Sequence, residues 1–186
     1  MFDFRSFAAA LLALTAAAQA QAISLVADGQ WASFDVASDL SGNLGWIDLD
    51  SAEALSFSFT VPAGHVATLT VVDAGFAGDR YTVLDQGVVL GVTSAAVDSY
   101  PGNAYLDFGA ALADTGYSRG VFLLAAGSHD IGGWMSRSAL DDAGLALDSS
   151  VGGIRLTVSP VPEPATLVSM LAGLALIGLA LKRRTR

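Results

Sequence analysis

Residues 55–61, Leu-Ser-Phe-Ser-Phe-Thr-Val, alternate strictly between apolar and hydroxyl-bearing side chains. Successive side chains of a β-strand point to opposite faces, so this period places Leu and Phe on one face and Ser and Thr on the other. A strand with one apolar face lies half-buried on a hydrophobic core, which is typical of antiparallel sheets. The stretch therefore predicts a half-buried antiparallel strand.

Neighbouring segments continue the same pattern on both sides of short turns. A Pro-Ala-Gly turn at 62–64 leads into an alternating run at 65–73, which predicts a hairpin with the strand at 55–61. A second hairpin is predicted from the runs at 80–84 and 88–92 around a loop that contains Gly, which can adopt a positive φ.

Further short runs extend the pattern along the chain at 23–27, 31–36, 104–108, 121–125, 130–135 and 154–159. Only 110–114 and 138–147 are compatible with helical turns. About ten short strands separated by Gly and Asp turns predict an all-β chain. We expect residues 23–158 to form an antiparallel β-sandwich, of the jelly-roll kind.

Acidic residues dominate the region between the two apolar ends. Residues 23–161 carry 16 acidic and four basic side chains, a net charge of −12. Such a surface repels phosphate backbones, which bind through Lys and Arg, and nucleic acid is therefore not an expected partner. The chain contains no cysteine, which excludes disulfides, thiolate metal sites and a cysteine nucleophile.

The first 22 residues have the three-part organisation of a secretory signal. Arg5 precedes an Ala- and Leu-rich run at 7–18, and Ala-Gln-Ala-Gln-Ala follows at 18–22. Signal peptidase requires small residues at two positions that flank a third. Cleavage after Ala20 and cleavage after Ala22 fit this requirement equally well.

The C-terminal segment has the properties of a membrane helix. Residues 165–181 carry no charge, and a helix of that length is roughly 26 Å long, at the short limit for crossing a bilayer. Lys182, Arg183 and Arg184 follow, and the positive-inside rule places them in the cytoplasm. A Pro-rich spacer at 159–164 precedes the helix and predicts a stiff, exposed linker.

This C-terminal arrangement resembles the PEP-CTERM sorting signal of Gram-negative bacteria. Pro162, Glu163 and Pro164, the apolar helix at 165–181 and the basic tail at 182–186 match its three parts in order. The resemblance implies that Pro162, Glu163 and Pro164 are a processing motif for exosortase, a membrane protease. It further implies an association with exopolysaccharide.

Two short motifs suggest catalysis, and both lack the required surroundings. Ser118 lies in a G-x-S-x-G sequence, which needs a preceding strand and a following helix, but an apolar strand follows it. Asp114-Thr-Gly resembles an aspartic-protease triplet, which occurs only once here although that chemistry needs two aspartates. His65 and His129 form no zinc signature. We expect no enzymatic activity.

A few acidic and aromatic residues are weak candidates for binding calcium or sugars. Asp48, Asp50 and Glu53 form an acidic cluster that would suit calcium, although solvated turn residues explain the cluster better. Trp46 and Tyr100, predicted in loops, are candidates for stacking on sugar rings, although aromatic side chains usually pack in the core.

These observations together predict an exported surface or extracellular-matrix protein. Its expected partners are signal peptidase, exosortase, the inner membrane before processing, and exopolysaccharide. The precursor would hold its acidic domain in the periplasm, and the mature protein would reach the cell surface or matrix. A carbohydrate- or calcium-binding surface module is the alternative, and a hydrolase is a more distant one.

Overall fold

The computed structural model describes residues 21–161 and 169–174 of the 186-residue chain. Most of the predicted signal segment, 1–20, and most of the predicted membrane helix lie outside the described residues. Residues 169–174 are helical. Within the described part of the chain, no helix is both long and apolar enough to cross a membrane.

Residues 21–161 form ten strands and two short helices. In chain order these are β1 (Gln21–Ser24), β2 (Asp28–Ala37), α1 (Ser38–Ser41), β3 (Leu55–Val61), β4 (His65–Phe76), β5 (Arg80–Asp85), β6 (Val88–Val92), β7 (Ala104–Tyr105), α2 (Phe108–Ala113), β8 (Arg119–Leu124), β9 (Gly127–Arg137) and β10 (Ser149–Pro160).

The strands pair into two sheets, which confirms the prediction of an all-β fold. The first sheet has the order β1-β3-β9-β5-β6, and the second has the order β2-β10-β4-β7, with β8 also paired to β4. All pairings are antiparallel except that of β1 with β3, which is parallel.

The predicted hairpin between 55–61 and 65–73 is wrong. Strand β3 pairs with β1 and β9, whereas β4 pairs with β10 and β8 in the other sheet. The turn at 62–64, where Gly64 has a φ of 74°, therefore carries the chain from one sheet to the other. The second predicted hairpin, β5 with β6, is confirmed.

Helix α2 confirms a helical turn near 110–114, but the helix predicted at 138–147 is absent from this described segment. Asp141 explains the difference, because its Oδ1 accepts hydrogen bonds from the backbone N–H groups of Ala143 and Leu145. Such side-chain bonds compete with helical hydrogen bonding and favour turns.

The main core lies between the two sheets. Phe57 and Ile131 from the first sheet and Leu69 and Ile154 from the second are fully buried there. The ring of Phe34 also enters this core, where it covers Gly152 of the adjacent strand β10. A Cβ at Gly152 would lie 2.5 Å from Cε2 of Phe34, so the absence of a side chain makes room for the ring.

A smaller apolar cluster lies on the outer face of the second sheet. Helix α2 packs there through Ala111, against Val72 and Ala74 of β4 and beside Tyr117. The Tyr117 hydroxyl donates to the carbonyl of Gly75 at 2.7 Å. The helix and its flanking loops are thereby fixed to the sandwich.

The strand directions give the sandwich two distinct ends. At one end lie the connections 25–27, 62–64, 86–87 and 125–126, together with Val161, where β10 leaves the fold. We call this the exit end. The connections 38–54, 77–79, 93–118 and 138–148 lie at the opposite end. Strand β4 runs from one end to the other over 12 residues, about 36 Å at ~3.3 Å per residue.

Candidate functional site

The chain leaves the sandwich directly in front of the predicted processing motif. Strand β10 runs to Pro160, which is opposite His65, and the N–H of Val161 donates to the carbonyl of Gly64 at 2.8 Å. Pro162, Glu163 and Pro164 follow immediately and lie outside the described residues, as do Lys182, Arg183 and Arg184. The motif therefore begins one residue after the last backbone hydrogen bond that the structure describes at this end of the sandwich.

The predicted linker at 159–164 is wrong in its first two residues, because Ser159 and Pro160 belong to β10. Hydrogen-bonding groups of successive strand residues point to opposite neighbours. The N–H of Val161 points toward Gly64, so the nitrogen of Pro160 points away from β4. On that side the neighbouring strand β2 begins at Asp28, opposite Thr157, so no strand residue lies beside Pro160. Proline can therefore occupy this position although it has no N–H to donate to a neighbouring strand.

The end of the predicted signal segment overlaps β1. The N–H of Gln21 donates to the carbonyl of Ala54 at 2.6 Å, and Ala22 lies opposite Ser56 in the parallel ladder. Ala22 is thus a strand residue, whereas Ala20 lies outside the described residues. The two predicted cleavage positions therefore differ in their effect on the fold.

Charge is distributed unequally between the two ends. Eleven of the 16 acidic residues between 21 and 161 lie in the connections opposite the exit end, which we call the acidic end: Asp39, Asp48, Asp50, Glu53, Asp79, Asp98, Asp107, Asp114, Asp141, Asp142 and Asp148. The connections of the exit end contain no charged residue. Negative charge is therefore concentrated at one end of the sandwich.

A buried carboxyl pair lies inside the acidic end. Asp73 and Asp79 are 0 % and 2 % exposed. Oδ2 of Asp73 accepts from the N–H groups of Gly78 and Asp79 at 3.2 Å each, and Oδ1 of Asp79 accepts from the N–H of Ala139 at 2.6 Å. The pair ties β4 to the loops that precede β5 and β10.

Burial changes the protonation of this pair. Burial, and then the charge of Asp79, raise the pKa of Asp73 to about 9. Burial also raises the pKa of Asp79, to about 6, although hydrogen bonds to Ser150 and Ala139 favour its charged form. Asp73 is thus a neutral acid at pH 7, which allows it to lie in the interior.

A cavity of about 240 Å³ opens beside this pair. Its polar lining comes from Asp35, Asp79, Ser149 and Ser150, and its apolar lining includes Phe76. Burial, and then the charges of Asp48 and Asp50, raise the pKa of Asp35. Carboxyl and hydroxyl groups without a cationic side chain suit a neutral, hydroxyl-rich ligand better than an anion.

The predicted calcium candidates form a turn. Oδ1 of Asp48 accepts from the N–H groups of Asp50 and Ser51 and from the Ser51 hydroxyl, at 3.0 to 3.1 Å. Glu53 follows in the same loop, where its N–H donates to the Ser51 hydroxyl at 3.3 Å. Among the described residues, no three acidic or histidine side chains are grouped as metal ligands.

Trp46, the loop-borne candidate for stacking on sugar rings, is 2 % exposed and is therefore not available to a sugar ring. It stacks on Phe34 with ring centroids 3.9 Å apart. A Cβ at Gly133 would lie 2.7 Å from the indole, so glycine at that strand position makes room for the ring. Tyr100 is 38 % exposed and packs edge-on against Phe76 at 4.9 Å.

The catalytic motifs of the sequence occupy turns. Ser118 is fully buried, and its hydroxyl lies 2.9 Å from Oγ1 of Thr93. Strand β8 follows it, so the strand-turn-helix context of a nucleophile elbow is missing at this position. Oδ1 of Asp114 accepts from the N–H of Gly116 at 2.9 Å, as in an Asx turn.

Both histidines lie near the exit end and are engaged locally. Nδ1 of His129 is 2.7 Å from Oδ2 of Asp85, and the ring stacks on Phe59. Nδ1 of His65 is 3.2 Å from the carbonyl of Ala63. The His129 contacts join three strands of the first sheet, and the His65 contact joins β4 to the turn that precedes it.

Comparison with known proteins assigns the C-terminal segment. A family model described as the PEP-CTERM protein-sorting motif matches residues 160–184, which confirms the resemblance noted in the sequence. The match implies exosortase-dependent sorting of an exported protein in a Gram-negative bacterium. No curated protein matches the chain.

One similar solved structure is the pre-peptidase C-terminal domain of a collagenase from Bacillus anthracis. The two share 8 % identity over 75 % of this chain and 95 % of that domain, with a TM-score of 0.40.

Proposed function

We propose, on the premise of a PEP-CTERM sorting motif at residues 160–184, that this protein is a structural component of the cell surface or extracellular matrix. Exosortase processes it at the C-terminal motif, and the acidic β-sandwich is the part that acts outside the cell. In this proposal the sandwich associates with exopolysaccharide and catalyses no reaction.

The observation that carries this proposal is where the motif stands relative to the fold. Among residues 21–161, the last backbone hydrogen bond, from Val161 to Gly64, directly precedes Pro162. Cleavage after this point would remove the C-terminal segment and leave every strand intact. Proteases act on segments outside the hydrogen-bonded core. The motif begins two residues after the end of β10, the last strand of the described residues.

The flanking segments complete the proposed precursor. Residues 165–181 form the membrane helix, and Lys182, Arg183 and Arg184 remain in the cytoplasm. Three side chains of the described helical turn, Met170, Leu171 and Leu174, are 56 to 66 % exposed, which supports a lipid-facing role. The strand orders β2-β10-β4-β8 and β3-β9-β5-β6 support a jelly-roll assignment for the sandwich.

At the other terminus, residues 1–20 form the signal peptide and signal peptidase cleaves after Ala20. Cleavage there would leave Gln21 as the first residue of β1, with its bond to Ala54 intact. Cleavage after Ala22 would remove half of β1, including that bond. The structure of β1 therefore supports the first of the two sites.

Localisation of two matched variants of the full chain tests the proposal. Deletion of residues 162–186 removes motif and membrane helix, and the domain should then appear in the periplasm or medium. Replacement of Pro162, Glu163 and Pro164 by Ala keeps the helix, and the precursor should then accumulate uncut in the inner membrane. Unchanged localisation and processing of both variants would refute sorting through this segment.

A carbohydrate-binding module is the second candidate, and the cavity beside Asp35, Asp79 and Ser150 is the observation that favours it. Glycan-array binding by residues 21–161, with and without added calcium, tests this role. Ser150→Leu would fill the polar side of the cavity and should abolish binding. Binding that is unaffected by Ser150→Leu would exclude the cavity as the ligand site.

A further inference from the structure

We infer that, in the membrane-anchored precursor, the exit end of the sandwich rests on the lipid surface and the acidic end points away from it. The inference rests on the proposed function, because it takes residues 165–181 as the membrane helix. It adds an interaction surface on the folded domain, and the bilayer itself is the partner.

A short length of chain separates the fold from the proposed membrane helix. Val161 is held at the exit end by its bond to Gly64, and only residues 162–164 separate it from Ala165. An extended chain advances at most about 3.6 Å per residue, so Val161 lies within roughly 14 Å of the start of the helix. The headgroup layer of one leaflet occupies about 5–8 Å of that distance. The exit end must therefore lie against or very near the headgroups.

The connections at the exit end are small and uncharged. They have the sequences Leu-Val-Ala at 25–27, Pro-Ala-Gly at 62–64, Gln-Gly at 86–87 and Ala-Ala at 125–126. Apart from buried Leu25, these residues are exposed, and Val26 and Val161 are 63 % and 48 % exposed. A small, uncharged and largely apolar surface loses little hydration when it meets lipid headgroups.

Acidic residues near this end are few. Asp28, Asp85 and Asp130 lie on the adjoining strands, and Asp85 is held at 2.7 Å by His129. The opposite end carries eleven acids, which an anionic bilayer would repel. Both the attachment point and the charge distribution therefore favour the same orientation.

The chain has no cysteine, which allows single labels at chosen positions. Ala63→Cys and Ala126→Cys place a fluorophore at the exit end, and Ala143→Cys places one at the acidic end; all three alanines are exposed. The full chain after signal removal would be reconstituted in phosphatidylcholine vesicles that contain a lipid with a quencher on its headgroup. We expect several-fold stronger quenching at positions 63 and 126 than at 143.

A spacer variant provides the matched control. A flexible Gly/Ser insert of about twelve residues between Val161 and Pro162 adds roughly 20 Å of reach. Quenching at positions 63 and 126 should then fall toward the value at 143, while insertion of the helix is unchanged.

Alkaline-carbonate extraction of the same vesicles separates the possible failures. Equal quenching at all three positions in an inserted protein would overturn this inference and leave the sorting proposal standing. Extraction of the protein from the vesicles would show that 165–181 does not anchor it, and would overturn both. Labels at two exit-end positions are compared, so that one substitution that perturbs its own loop does not decide the result.

Discussion

The hydroxyl of Tyr81 lies 3.3 Å from Oδ1 of Asp73 inside the sandwich, and 2.7 Å from the hydroxyl of Ser150. Tyr81 belongs to the first sheet, whereas Asp73 and Ser150 belong to the second. This polar contact therefore connects the two sheets through buried side chains. It also places a carboxyl group where ionisation is costly.

Stability should fall as the pH rises from about 4 toward about 9. In the unfolded chain Asp73 and Asp79 have the ordinary pKa of 3.8, whereas folding raises these pKa values to about 9 and about 6. Between these limits the folded protein binds more protons than the unfolded chain, so its stability decreases with pH. The stability that protonation of Asp79 contributes is lost by about pH 6, and the stability that protonation of Asp73 contributes is lost by about pH 9. Thermal unfolding followed by circular dichroism across this range measures the slope.

Asp73→Asn should flatten this dependence, because an amide cannot ionise and still accepts hydrogen bonds from Gly78 and Asp79. Asp142→Asn, at an exposed carboxylate, is the matched control and should keep the slope of the unmodified protein. Equal slopes for Asp73→Asn and the control would show that Asp73 does not determine the pH dependence.

Gly152→Ala should destabilise the sandwich by about 1–3 kcal/mol, the usual range for overpacking a core. The added methyl group would clash with the ring of Phe34, which is itself stacked on Trp46 and has little room to move. Gly132→Ala is the control, since a Cβ there would meet nothing within 4 Å. Chemical denaturation compares the two free energies of unfolding, and a control loss as large as that of Gly152→Ala would contradict the steric explanation.

Alternation in the sequence predicted the strands better than their partners. Residues 55–61 place Phe57 and Val61 in the core as expected. The same alternation is satisfied whether the next strand pairs alongside or crosses to the other sheet, since both arrangements bury the same face. The choice depends on the partners of β4 and β10, which are distant in sequence, and local periodicity contains no information about them.

The candidate sites show the same limit. The sorting motif was predictable because its parts are contiguous in sequence. The sequence makes Trp46 a candidate for stacking on sugar rings. Its burial depends on the space left by Gly133, far along the chain. Asp73 and Asp79 resemble turn residues in the sequence, and only the fold shows that both are enclosed. A useful signal was available in Gly133, because glycine inside a strand often marks a close approach by another group.

Signal cleavage after Ala20 predicts different effects for two alanine substitutions. Ala18→Leu places a large residue at the third position before that bond and should slow or block processing. Ala22→Leu disables only cleavage after Ala22, and processing should continue. Mass spectrometry of the exported protein should find Gln21 at the N-terminus of both the unmodified chain and Ala22→Leu. An N-terminus at Ile23 in the unmodified protein, with processing lost in Ala22→Leu, would instead show that the peptidase removes Gln21 and Ala22, and that β1 is only partly retained in the mature sandwich.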